Sequence, residues 1–243
     1  QLHRYPDPYC RQLVQAIATH EQVPASYVLC GNGAADLIYA YCAALRPRTA
    51  VEPAPTFAEY GLGLAQMGCR VTPYFLHQAE NFDVDEGFLP FLEEKKPEAV
   101  FLCTPNNPTG VVYSAGTLTR LADILTEKSR AFGHTIFLVS DEPYRDIAFD
   151  GRKVPYPAAF YPHTLTCFSF SKSLSLPGER LGYVAVRPGC EGEELLVDMM
   201  AQISRFTGHN CPPSIIQRAV AQCLDVTSDL SVYETNMNLL YDK

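Results

Sequence analysis

Lys172 is the side chain with the widest chemical reach in this sequence. It stands in "SFSKSLSLPGERLGY" (169–183), between small hydroxyl residues and directly behind the apolar run 165–168. Arg180 follows eight residues later inside Gly-Glu-Arg-Leu-Gly. A lysine amine forms imines where partial desolvation lets its neutral form exist near neutral pH, and the end of a buried strand would supply that. Ser169, Ser171 and Arg180 suit a phosphate close by. A solvated loop lysine is the plainer alternative. Ser169-x-x-Lys172 also fits the S-x-x-K pattern of serine hydrolases. That mechanism wants the serine to open a helix, with S-D-N and K-T-G elsewhere. Neither companion occurs, and 165–170 reads as a strand.

Four other stretches carry comparable groups. In "GNGAADLIYA" (31–40) a glycine turn at Gly33 enters a helix whose first amides, at Ala34 and Ala35, form a phosphate cradle. It is not the dinucleotide fingerprint, because Asp36 replaces the third glycine of G-x-G-x-x-G. "PAPTFAEY" (53–60) places Phe57 after a strand, as a ligand-facing aromatic or as core. "TPNNPTG" (104–110), with two asparagines between prolines, is a rigid turn able to present an amide side chain. "VSDEPYR" (139–145) ends an apolar run on Asp141, a carboxylate that at a buried strand end needs a positive or hydrogen-bonding partner. Taken singly, each also reads as an ordinary turn, cap or core residue.

These stretches need elements to hold them. Short apolar runs predict strands at 27–31, 49–53, 69–76, 99–104, 135–141, 165–170 and 182–186. Amphipathic stretches predict helices at about 34–46, 57–67, 85–95, 115–132 and 191–206. Such alternation predicts an α/β domain with a mostly parallel sheet, and all five stretches fall at strand ends, where open α/β sheets bind ligands. In 228–243, Leu230, Tyr233, Met237 and Leu240 mark one helical face, with Ser228 as a candidate cap. We expect that helix to be cut short, with part of a larger protein absent. The start at Gln1 likewise suggests that the natural N-terminus is missing.

Composition narrows the class. The 243 residues are 47% hydrophobic and 19% charged, an ordinary globular mix. A net charge of −8 with no basic run makes neither nucleic acid nor an anionic membrane the expected partner. No apolar run reaches the length of a membrane helix. Nine scattered cysteines, without C-x-x-C or a metal-ligand spacing with histidine, suit small buried residues in a reducing cytoplasm. No metal site is expected.

Together, "SFSKSLSLPGERLGY", "PNNPTG" and "DEPYR" resemble the fold-type-I pyridoxal-phosphate enzymes of the class I/II aminotransferase family. That resemblance runs over essentially the whole chain. It implies a three-layer α/β/α large domain over 1–208 with a mostly parallel seven-stranded sheet. Residues 209–243 would then be helices leading toward an absent C-terminal small domain, which normally carries the arginine that grips the substrate carboxylate. The resemblance implies that Lys172 holds pyridoxal 5′-phosphate as a Schiff base and later moves the substrate proton. Asp141 would pair with the pyridine nitrogen, Asn107 and Tyr144 with the phenolic oxygen, and Phe57 would stack on the ring. The phosphate would meet the turn at Gly33, the Ala34 and Ala35 amides, Ser169, Ser171 and Arg180. "LHRYPDP" (2–8), "GNGAADLIY" and "PAPTFAEY" resemble the histidinol-phosphate aminotransferase and threonine-phosphate decarboxylase branch. There Tyr5 would reach the cofactor phosphate of the neighbouring subunit in a homodimer. Ala34-Ala35 departs from the Ser-Asp or Ala-Asp usual after the glycine turn. The expected reaction is transfer of an amino group from an α-amino acid to a 2-oxo acid. Decarboxylation is the alternative, and a catalytically incomplete cofactor-binding or dimerisation fragment is another.

Overall fold

In a computed structural model, residues 3–149, 151–226 and 228–241 are described. Seven strands form one sheet: β1 (Val28–Gly31), β2 (Thr49–Ala54), β3 (Arg70–Phe75), β4 (Ala99–Cys103), β5 (Phe137–Asp141), β6 (Thr164–Ser169) and β7 (Gly182–Val186). Their order is β1-β7-β6-β5-β4-β2-β3. Only β7 runs against its two neighbours, and all other pairs are parallel. The seven predicted strands and the mostly parallel sheet are therefore present.

Period-two alternation distributes the sheet's side chains between two layers of helices. Ala99, Phe101, Cys103, Val139, Leu165, Cys167, Val184 and Val186 face one layer. That layer contains α2 (Ala34–Leu45), α3 (Glu59–Gln66) and α7 (Glu193–Phe206). Val100, Leu102 and Leu138 face the other, against α4 (Phe88–Lys95) and α5 (Ala115–Phe132). On the same side, Phe168, Tyr183 and Ala185 meet α1 (Arg11–Glu21) and α8 (Ser214–Val220). Strands covered on both faces need continuous apolar runs, and every residue of β4, β6 and β7 is buried. Ser114 accepts a hydrogen bond from the Thr117 amide at the start of α5, and Gly133 closes it in the left-handed region, so the predicted 115–132 matches the helix.

Several expectations need adjustment. Helix α1 was not anticipated: its core face carries Leu13, Val14, Ile17 and Ala18, and its N-cap residue is Cys10, the amide of Arg11 being taken instead by Asp7 Oδ2. The 165–170 strand stops at Ser169, and Phe170–Ser173 is a single helical turn, α6. Lys172 therefore sits within that turn, beyond the strand end. The Ser169 hydroxyl causes the switch by accepting from the Ser171 amide and capping the turn. Ser169 does open a helix, so this point no longer separates the site from an S-x-x-K hydrolase; the missing companion motifs do. Ser228 does not cap α9 (Ser231–Tyr241). Its hydroxyl donates to the Ser173 carbonyl, and Asp229 Oδ1 takes the Ser231 amide instead at 3.0 Å. On the expected stripe, Leu230 and Met237 are partly buried but Tyr233 is 48% exposed, and the side chain of Leu240 lies outside the described residues. All nine cysteines are free, seven of them buried. No helix among the described residues is long and apolar enough to cross a membrane.

Candidate active site

The carboxyl ends of β4, β5 and β6 and the loop after β1 open on one edge of the sheet, around a cavity of about 250 Å³. β5 ends on Asp141, fixed because Thr104 N donates to the Asp141 carbonyl and Glu142 N to the Cys167 carbonyl. Its side chain is 3% exposed. Tyr60 Oη donates to Asp141 Oδ2 at 2.5 Å, while Oδ1 is buried with no partner. Burial pushes the Asp141 carboxyl up to about 6, only partly offset by the Tyr60 hydroxyl and the Cys167 thiol. A donor with positive charge beside Oδ1 would reverse that shift.

The 104–110 turn is held by Asn106, whose Oδ1 accepts from the Thr109 amide and hydroxyl, leaving the Asn107 side chain free to face the cavity. Asn107 Nδ2 lies 3.4 Å from Tyr144 Oη. Lys172 Nζ lies 5.7 Å from the centroid of the Tyr144 ring, within cation–π reach. Lys172 itself is exposed, so the desolvation expected of a strand end is absent: α6 carries the side chain past the buried strand. Phe57 is at the cavity wall, 36% exposed and edge-on to Tyr60 with ring centroids 5.7 Å apart.

At the other end of the cavity, Ala34 and Ala35 open α2. Gly33 precedes them at φ +85°, and a Cβ there would stand 2.6 Å from Arg180 Nη2. Only glycine allows the guanidinium to pack this closely on the turn. Arg180 Nη1 is held by the Pro177 carbonyl at 3.2 Å. Ser169 Oγ donates to Ser171 Oγ at 2.9 Å, and both serines line the same end. A guanidinium, two hydroxyls and two helix-start amides at one end of the cavity are donors of the kind an anion would need.

Every predicted site residue except Tyr5 and Gly33 lines this cavity, and Gly33 packs directly behind Arg180, which does. Tyr5 lies 99% exposed in the N-terminal segment, away from the others. Tyr60 and Cys103 line the cavity without having been anticipated. A tyrosine three residues after Phe57, one helical turn on, was the available signal for Tyr60. Behind Asp141, on the opposite face of the sheet, lies a second cluster missed in the sequence. Arg145 contacts Glu21 at 2.5 Å and Glu142 at 3.3 Å, and donates to Tyr183 Oη at 3.1 Å. Burial pushes Glu142 up to about 8 despite the Arg145 charge and the Ser140 hydroxyl. Burial also pushes Glu21 upward, but the Arg145 charge and hydrogen bonds outweigh it and leave that carboxyl below the ordinary range.

The three-layer sheet with this edge site has the architecture of the fold-type-I pyridoxal-phosphate enzymes. The chain belongs to the family Aminotransferase class I and II, which matches residues 1–239. It is 36% identical over 189 residues to threonine-phosphate decarboxylase of Salmonella typhimurium, covering 75% of this chain and 48% of that one. Against histidinol-phosphate aminotransferase of Roseiflexus castenholzii it is 34% identical over 185 residues, covering 75% and 46%. The crystal structure of an amino transferase from Eubacterium rectale superimposes with a TM-score of 0.88 at 34% identity, over 99% of this chain and 63% of that one. The chain therefore spans about half the length of the curated relatives it matches. The cofactor of this family is pyridoxal 5′-phosphate. The cavity fits it on its own chemistry. The unpartnered Asp141 Oδ1 offers an acceptor for a protonated ring nitrogen, and the Arg180 end offers donors for a phosphate.

Proposed function

We propose that the protein is a transaminase that moves an amino group from an α-amino acid to a 2-oxo acid, with Lys172 as the attachment point for the cofactor. The observation that carries this reading is the convergence of Lys172, the half-satisfied Asp141 and the Asn107–Tyr144 pair on one cavity. When bound, the cofactor supplies an electron sink for a carbanion at the substrate Cα. Asp141 Oδ1 would accept a hydrogen bond from the protonated ring nitrogen, and its negative charge would keep that proton on the ring. Asn107 Nδ2 and Tyr144 Oη would donate to the ring's phenolic oxygen, and the Phe57 ring would cover one face of the cofactor. Ser169, Ser171, Arg180 and the Ala34 and Ala35 amides hold the phosphate, in the room that Gly33 leaves. Lys172 Nζ would hold the cofactor, and as a free amine beside the substrate would take and return the proton at Cα. Tyr5 serves the phosphate of a neighbouring subunit in a homodimer. Nine free cysteines suit a reducing compartment such as the cytoplasm.

Decarboxylation of an amino acid is a second reading, favoured by the 36% identity to threonine-phosphate decarboxylase. A third is a cofactor-binding or dimerisation fragment without turnover. One series of measurements separates them. Titration with pyridoxal 5′-phosphate should produce visible absorbance, and borohydride should fix the label on the Lys172 peptide. Lys172→Ala should abolish both, and an unchanged spectrum in that variant would defeat the assignment. A panel of amino acids with a 2-oxo acid acceptor should then yield new oxo acid. Carbon dioxide without oxo acid would favour the second reading, and neither product from a labelled protein the third.

A further inference from the structure

Asp36 is the residue of the glycine-turn stretch that the proposed chemistry leaves unused. It follows the Ala34 and Ala35 amides by one residue, at the third position of α2. Its side chain is only 7% exposed. It does not line the cofactor cavity but an adjoining cleft with Asn32, Ser204 and His209, which shares Ala35 and Arg180 with that cavity.

Its polar contacts tie the turn before α2 to the last turn of α7 and the chain just after it. Asn32 N donates to Asp36 Oδ2 at 3.0 Å, the reciprocal half of a capping box reaching one residue further back. The single proton of Ser204 Oγ is shared between Asp36 Oδ2 at 3.3 Å and the His209 carbonyl at 3.1 Å. His209 Nδ1 lies 3.6 Å from Asp36 Oδ1, and Asn32 Nδ2 donates to the His209 carbonyl at 3.2 Å. Gly31 leaves the space for this arrangement, since a Cβ there would stand 2.9 Å from Asp36 Oδ2.

A carboxylate one residue past two amides meant for a phosphate dianion would oppose that ligand if it were free to turn toward it. Here Oδ2 is held on the far side by the Asn32 amide and the Ser204 hydroxyl, with His209 Nδ1 beside Oδ1, so the charge serves the turn. We propose that Asp36 is a positioning residue for the cofactor phosphate. By holding the Asn32 amide it sets the 31–33 turn, and so the line of the Ala34 and Ala35 amides and the close seat of Arg180 on Gly33. Through His209 it links that setting to the segment between α7 and α8. This proposal rests on the reading of that end of the cavity as a phosphate site. Donors already aligned lose less freedom on binding, so the benefit falls on the phosphate and not on the ring.

That distinction gives the test. The wild-type protein and Asp36→Asn are titrated with pyridoxal 5′-phosphate and with pyridoxal, which lacks the phosphate, following the fluorescence of the bound ring. Losing a charged hydrogen-bond acceptor should weaken pyridoxal 5′-phosphate about tenfold or more, while pyridoxal changes by less than about twofold. A role confined to helix stability would weaken both ligands equally, and that result, or no change in either, overturns the proposal. Ser204→Ala removes one tie without touching the turn and should shift the same ratio in the same direction by a smaller factor. If Asp36→Asn does not fold, an unchanged ratio in Ser204→Ala overturns the proposal. Wild-type protein that binds pyridoxal 5′-phosphate no better than pyridoxal would defeat the phosphate site itself, and the proposal with it.

Discussion

Asp141 and Glu142 are neighbours in sequence whose carboxyls lie on opposite faces of the sheet. Asp141 meets Tyr60 beside the cavity, while Glu142 meets Ser140, Thr166 and Arg145 behind it. Burial raises both, Asp141 to about 6 and Glu142 to about 8. Below the ordinary value of 4.5, Glu142 is protonated in the folded and unfolded chain alike. As pH climbs from there toward about 8, the unfolded chain releases a proton that the folded chain still holds, so stability falls across that window. Asp141 adds a fall of the same sign between 3.8 and about 6. Glu142→Gln should therefore lose less Tm between pH 6 and pH 8 than wild type, as thermal melts at a series of pH values would register. Equal slopes for the two proteins would mean that another group titrates. Tyr60→Phe acts on the other face: it removes the hydroxyl donor from the Asp141 carboxyl in a buried site. We expect it to destabilise the cofactor-free protein by about 1–3 kcal/mol, with part of that loss recovered when pyridoxal 5′-phosphate is present. A variant as stable as wild type in urea would show the Tyr60 bond to be of no consequence.

Gly182 joins the elements of the site. It opens β7 opposite Ser169 of β6, and a Cβ there would stand 2.6 Å from the Phe168 carbonyl and 3.3 Å from the Ala34 amide. Both neighbours are backbone, so Gly182→Ala must displace the end of β6 or the start of α2. We expect a loss of about 1–3 kcal/mol for such overpacking, together with weaker cofactor binding, because Ser169 and Ala34 move with those elements. Urea unfolding with and without pyridoxal 5′-phosphate would separate the two effects, and a variant matching wild type in both would refute the close approach. Elements of this kind were legible to different degrees. The strands announced themselves because burial on both faces demands unbroken apolar runs, as in β4 and β7. Helix α1 did not, since its N-cap position is a cysteine and the carboxylate that takes its first amide, Asp7, stands four residues earlier in an irregular segment. The apolar Phe170 extended the pattern of β6 and hid the turn that Ser169 begins. Lys172, Asn107, Arg180 and the Ala34–Ala35 step were legible as candidates because local motifs carry them. The Tyr60–Asp141 bond spans 81 residues of chain, and the Glu21–Arg145 pair spans 124. No local pattern encodes either.

On the scale of the whole molecule, a chain of net charge −8 is proposed to bind an anionic cofactor. The overall field opposes that association, and salt screens long-range repulsion. Affinity must then come from short-range donors: Arg180, the serines and the α2 amides. Tyr5 is the remaining candidate donor. It is 99% exposed, in a segment whose Asp7 carbonyl accepts from Gln217 of α8. Nearby, Tyr9 is 57% exposed and lies under the Arg205 guanidinium at 4.5 Å, while Ile215 is 61% exposed. A phenol fully open to water contributes nothing to its own subunit's site, so its effect on cofactor affinity must depend on association with a second copy. Pyridoxal 5′-phosphate should bind more tightly as protein concentration rises through the dimer range, by mass action. Tyr5→Phe should leave sedimentation unchanged and weaken binding by the dimer about three- to tenfold, the worth of one hydrogen bond, with no effect on the monomer. Equal affinities for Tyr5→Phe and wild type at concentrations where both sediment as dimers would remove Tyr5 from the phosphate site.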